Sequence, residues 1–141
     1  MITRILIAHD GSEEARRAME VATDLAVRYK AAATVLAVLY HPAYPATVNE
    51  VQAAEEEQRA FAEGFLRKAV EHARLRGLDV SVEIAYGHPA EAIVNYAQQH
   101  GVDLIVMGHR GMSNLRRFLV GSVADRVVDH APCMVLVVRR R

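Results

Sequence analysis

The sequence predicts an α/β fold: an open, doubly wound parallel sheet of five strands in the order 3-2-1-4-5, with helices on both faces. Three observations carry this. Short apolar runs alternate with longer stretches in which apolar residues recur every three or four positions. Most of the runs are continuously apolar, as strands covered on both faces require. The helical stretches between them are long enough for right-handed crossovers, so successive strands lie parallel.

The first strand is Arg4 to Ala8, centred on Ile5-Leu6-Ile7. Asp10-Gly11-Ser12 breaks it. Ser12 stands where a helix N-cap belongs, ahead of Glu13 and Glu14, whose charges suit the positive end of a helix. That helix carries Ala15, Ala18, Ala22, Leu25, Ala26 and Tyr29 on one face, and the second strand follows as Thr34 to Leu39. His41 to Asn49, with Pro42 and Pro45, reads as a loop. A long helix, roughly Val51 to Arg76, shows a stripe of Phe61, Phe65, Ala69 and Ala73 and stops at Gly77. In the third strand, Val80 to Ala85, Val80, Val82 and Ile84 alternate with Ser81, Glu83 and Ala85, a period of two that marks a sheet edge. Gly87-His88-Pro89 leads into a third helix, with Pro89 near its first position, Ala90, Ile93, Val94 and Ala97 facing inward, and Gly101 at its end. Leu104 to Met107 is the fourth strand. A glycine-flanked loop from Gly108 to Gly121, a helix from Ser122 to about His130 and a fifth strand from Met134 to Val138 complete the chain.

Bulk properties narrow the function. The 141 residues suit one domain over 1–141, and 52% hydrophobic against 24% charged residues is an ordinary globular balance. Seventeen basic and seventeen acidic residues cancel, which argues against a dedicated nucleic-acid binder. The Arg139-Arg140-Arg141 tail reads as a solvated terminus. Cys133 is the lone cysteine, so an intrachain disulfide is excluded and a reducing compartment fits. The N-terminus lacks a signal-peptide layout, and no apolar stretch nears the roughly 18 residues of a membrane span, so a cytoplasmic protein is expected. Seven scattered histidines show no ligand spacing, so any metal would arrive with a ligand's phosphates.

In an open parallel sheet, ligands bind outside the carboxyl ends of the strands where the strand order reverses, here between strands one and four. Asp10 follows the first of these and Met107-Gly108 ends the other. The loop reads Gly108-His109-Arg110-Gly111, nine residues, then Gly121-Ser122 opening a helix. Glycines let the backbone approach an anion, and a helix start presents free N–H groups and a favourable dipole. Arg110, Arg116 and Arg117 are candidates for charge-assisted phosphate contacts. The alternative is that these glycines only shape turns. No Walker-type loop is present, and Asp10-Gly11-Ser12 replaces the dinucleotide fingerprint.

These residues together resemble the universal stress protein family, in its ATP-binding branch. The family signature is Gly, two residues, Gly, nine residues, Gly, then Ser or Thr, and it stands here as Gly108, Gly111, Gly121 and Ser122. Ala8-His9-Asp10-Gly11-Ser12, Gly87-His88-Pro89 and Asp103 through Gly108 match its other motifs, so the likeness covers essentially the whole chain. The resemblance implies a Rossmann-like, adenine nucleotide alpha hydrolase-like fold and a regulatory, stress-response ATP-binding module. It implies that Gly108, Gly111, Gly121 and Ser122 contact phosphates and ribose, with Asp10 near the nucleotide and its Mg²⁺. Val38 would offer backbone groups to adenine, and Ala8, Met107, Arg110 and Val123 would line the site. Ala124 stands where ATP-binding relatives often carry a second hydroxyl, which leaves one phosphate hydrogen bond unmade.

Two other readings stay open. A slow Mg-dependent ATPase or phosphoryl-transfer enzyme would need a group orienting the nucleophile, and neither His9 nor His109 is placed by sequence. A dimeric interaction module with an incidental pocket is the other. Met134 to Val138 is an uncharged edge strand in this order, and such edges are normally paired, so a homodimer through it is expected, as the resemblance also implies.

Overall fold

The computed structural model describes residues 1–40, 47–110 and 122–139. Among these, strands and helices alternate as β1 (Arg4–Ala8), α1 (Glu13–Tyr29), β2 (Ala32–Leu39), α2 (Val48–Arg74), β3 (Ser81–Tyr86), α3 (Pro89–Gln99), β4 (Leu104–Gly108), α4 (Ser122–His130) and β5 (Met134–Val138). The five strands form one sheet, all parallel, in the expected order β3-β2-β1-β4-β5. Ile7 pairs with Val35 on one side and with Val106 on the other; β1 stops at Ala8, level with Leu36, and β2 runs on to Leu39.

The pleat sends alternate residues to opposite faces. Ile5, Ile7, Val35, Ala37, Leu104 and Val106 bury against Ala18, Met19, Ala22 and Ala26 of α1 and Ala62, Leu66, Ala69 and Ala73 of α2. Leu6, Leu36, Ile105 and Met107 pack on the other face against Ala90, Ile93 and Ala97 of α3 and Ala124 and Val127 of α4. Burying each large side chain contributes about 1.5–3 kcal/mol. The small residues on the helices let α1 lie close to the sheet. At the amino ends, Asp103 Oδ2 accepts hydrogen bonds of 2.8 Å from Thr3 N–H, the Thr3 hydroxyl and Arg4 N–H. Those donors hold its pKa below the usual carboxylate range.

Several boundaries differ from the sequence reading. α2 begins at Val48 because Thr47 caps it: Thr47 Oγ1 accepts the Glu50 N–H at 3.1 Å and donates to Glu50 Oε1, a reciprocal cap. The inward stripe of α2 is Ala62, Leu66, Ala69 and Ala73, and Phe61 is 53% exposed. Tyr29 is also exposed, in the last turn of α1 beside Lys30, whose left-handed φ of 55° ends the helix. β2 starts at Ala32, where Arg4 gives it a partner, and β3 is displaced to Ser81–Tyr86. β3 is the sheet edge that its alternation predicts, yet Val82 is exposed. No helix among the described residues is long and apolar enough to cross a membrane.

Candidate functional site

The strand alternation decides which site residues meet. Ala8, Val38 and Met107 all face the α3/α4 side, and with Val123 they belong to one apolar cluster that includes Leu6, Leu36 and Ala124. Met107 is buried, while Ala8, Val38 and Val123 are half-buried at the cluster's upper margin. Residues separated by most of the chain thus form one apolar floor at the carboxyl end of the sheet. Polar groups rim it. Asp10 is exposed, and its Oδ1 accepts the Ser12 N–H at 2.9 Å. Ser122 is the first residue of α4, where a helix leaves its leading N–H groups without intrahelical partners. Gly111, Gly121, Arg116 and Arg117 lie outside the described residues.

The opposite rim was not legible as a site. Gly108 faces α1, and a Cβ added there would lie 2.9 Å from Glu14 Cβ, 3.0 Å from Glu14 C and 3.1 Å from Ala15 N. Only a glycine lets the first turn of α1 seat against the end of β4. Ser12 caps this turn, its Oγ accepting the Ala15 N–H at 3.1 Å. Glu14 is carried inward to 6% exposure. Its Oε1 accepts the Arg110 N–H at 3.1 Å and stands 3.6 Å from Arg110 Nε, while Oε2 has no hydrogen-bond partner among the described residues. The helix period did carry a signal, since Glu14 precedes Ala18 and Ala22 at four-residue steps on the buried face.

Two amides that follow Gly108 are engaged within the protein. The His109 N–H donates to Val138 O at 2.8 Å, extending the ladder to β5, and the Arg110 N–H is taken by Glu14. Neither points outward for an anion.

The two histidines of the motifs take different places. His9 is buried on the α1/α2 face, stacked on Phe65 with ring centroids 4.8 Å apart. Its Nδ1 accepts the Gly11 N–H at 3.1 Å, and burial pushes its pKa down to about 4 against the opposing pull of Asp10. It is therefore neutral near pH 7. Gly11 sits at φ 87° directly beneath the aromatic rings, and an added Cβ would meet Phe61 and Phe65 atoms at 2.8 Å. This gives Phe61 and Phe65 their purpose: they cover the β1–α1 turn. His109 is buried and lines a hollow of about 250 Å³ with Asp125, Val128, Val137 and Arg139, beside β5.

The profile of the Universal stress protein family matches residues 1–139. A Staphylococcus haemolyticus protein provisionally named as a universal stress protein is 40% identical over 139 residues, covering 96% of this chain and 83% of that one. The structure of universal stress protein UspA from Lactobacillus plantarum is similar with a TM-score of 0.90 and 34% identity, over 98% of both chains. A universal stress protein solved in complex with cAMP has a TM-score of 0.77 and 25% identity, over 96% of each chain. Alike over nearly its whole length in both sequence and backbone, the chain belongs to the universal stress protein family.

Proposed function

We propose that this chain binds an adenine nucleotide, ATP in the first instance, at the carboxyl ends of β1, β2 and β4, and that it works as a regulatory stress-response module. The observation that carries this is the apolar floor of Ala8, Val38, Met107 and Val123, flanked by Asp10, Arg110 and the start of α4. A flat apolar surface with polar groups on its rim suits a base and sugar with phosphates attached. The cAMP complex of a relative supports the same ligand class. Phosphates would lie toward Gly108, Arg110, Gly111, Gly121 and Ser122, where the α4 dipole favours negative charge. Mg²⁺ would arrive with them and supply charge neutralisation. The exposed Asp10 carboxylate would accept hydrogen bonds from the hydrated ion, which keeps several of its waters.

The same reading includes a homodimer through β5. That strand is last in the sheet order, pairs with β4, and presents Met134, Val135, Leu136 and Val137 without full burial. An uncharged edge of this kind is normally paired.

The test is thermal unfolding with adenosine, AMP, ADP, ATP and Mg-ATP, together with light scattering for mass. A ligand at about 100 times its Kd adds about 2.7 kcal/mol to the folded state. No shift with any adenine compound at millimolar concentration refutes the nucleotide reading. A monomeric mass at micromolar protein refutes the dimer.

A further inference from the structure

We infer that Gln58 is a positioning residue for base recognition: its carboxamide closes the backbone pair of Tyr40, so that the end of β2 meets a base through Val38 alone. The inference rests on the adenine-nucleotide reading and concerns how that site fixes the base. Its basis is the overhang of β2. β1 stops at Ala8, level with Leu36, while β2 continues to Leu39 against β3. Along a strand, the N–H and C=O of successive residues point to alternate neighbours. Leu36 O accepts the His9 N–H at 2.9 Å, so Leu36 faces β1, and Leu39 O accepts the Gly87 N–H at 2.8 Å, so Leu39 faces β3. Val38 therefore faces the β1 side, beyond the point where β1 ends, and no described residue takes its N–H or C=O.

The next pair on that edge is already taken. By the same alternation, the Tyr40 N–H and C=O lie about 7 Å further along. Gln58 Oε1 accepts the Tyr40 N–H at 3.2 Å, and Gln58 Nε2 donates to Tyr40 O at 2.7 Å. One planar amide thus pairs with the chain as a neighbouring strand would. Half-buried Gln58 precedes Ala62 and Leu66 at four-residue steps, which carries the inward stripe of α2 up to the carboxyl end of the sheet.

The amino group and N1 of adenine are a donor and an acceptor side by side in one plane, the same pattern that the Gln58 carboxamide presents to Tyr40. Val38 offers the matching N–H and C=O. With Tyr40 closed, a base has one such pair to meet and cannot slide along the edge by a two-residue step. The clamp also keeps β2 extended past its last contact with β1. Alignment matters, because a hydrogen bond weakens steeply once its angle falls below about 120°. Gln58 acts on the base only through the strand.

The experiment is calorimetric titration of wild type, Gln58→Ala and Gln58→Met with Mg-ATP and with Mg²⁺-loaded purine riboside triphosphate, which lacks only the amino group. Circular dichroism checks folding. The phosphates are common to both compounds, so the ratio of the two affinities reports the base edge. The wild type favours ATP about tenfold, which corresponds to about 1.4 kcal/mol, and each folded variant favours it less than about threefold. A ratio above about threefold in either folded variant overturns the inference whatever the absolute affinities, because a merely structural Gln58 would weaken both ligands alike. A wild-type ratio below about threefold overturns it too, as does a folded variant that binds neither compound. If neither variant folds, Gln58 holds the fold and not the base, and the inference falls. If the wild type binds neither compound, the nucleotide reading itself falls. If all three proteins bind both and the ratio does not move, only the role of Gln58 falls.

Discussion

Replacing Gly108 with alanine separates packing from ligand binding, because its cost arises with no ligand present. The added methyl carbon would meet Glu14 Cβ at 2.9 Å and two backbone atoms, Glu14 C and Ala15 N, at 3.0 and 3.1 Å. Normal carbon contacts need about 3.5 Å or more. Backbone atoms of a capped helix cannot rotate aside, so α1 must shift off the end of β4. Gly108 does not use the left-handed region, so the penalty is steric and not conformational. Overpacking of this kind typically costs about 1–3 kcal/mol. Gly64, within α2, is the matched control: nothing lies within 4 Å of its added Cβ. There the substitution improves helix propensity and stabilises by about 1 kcal/mol. Urea unfolding of both variants, with the slope monitored for two-state behaviour, should place them on opposite sides of the wild type by about 2–4 kcal/mol in total. For a domain of this size each kcal/mol moves Tm by about 3–4 °C. If Gly108→Ala is as stable as the wild type without ligand, the close seating of α1 on β4 is wrong, and with it the geometry assigned to Glu14.

Two other predictions follow from the β1–α1 turn. Because His9 has its pKa lowered to about 4 from 6.5, the unfolded chain takes up a proton before the folded one does. Stability is therefore fully present above about pH 6.5 and falls toward pH 4. The slope from this group is at most about 1.4 kcal/mol per pH unit, and urea titrations of His9→Gln should show that part of the slope removed. An unchanged acid profile would mean the imidazole is not held neutral. Ser12→Ala deletes the Oγ acceptor of the Ala15 N–H and should cost about 1 kcal/mol, lowering Tm by about 3–4 °C. A loss below about 0.3 kcal/mol would show that the cap contributes little to α1.

Much of the architecture is local in origin and was readable as such. Apolar periodicity, the Ser12 cap and Pro89 at the head of α3 act within a few residues of themselves, so they specify strands and helices wherever the chain lies. The parallel sheet followed from the rule for crossovers, and the partners of β1 are the expected β2 and β4. Boundaries were less legible where a cap lay before the apolar pattern began, as at Thr47.

Sequence alone established the layers, the sheet, and a glycine-rich connection after β4 at the switch point. It also placed Ala8, Val38 and Met107 at, or one residue short of, the ends of their respective strands. Only the tertiary structure decided that Glu14, rather than its neighbour Glu13, turns inward to meet Arg110, 96 residues away. It also decided that Phe61 and Phe65 roof the Gly11 turn and that His9 lies neutral beneath them. The reason is physical: backbone propensities are set by near neighbours, while the partner of a buried charge or ring is set by how α1, α2 and β4 pack. One residue's rotation along a helix, about 100°, separates a solvated carboxylate from one sealed against the sheet.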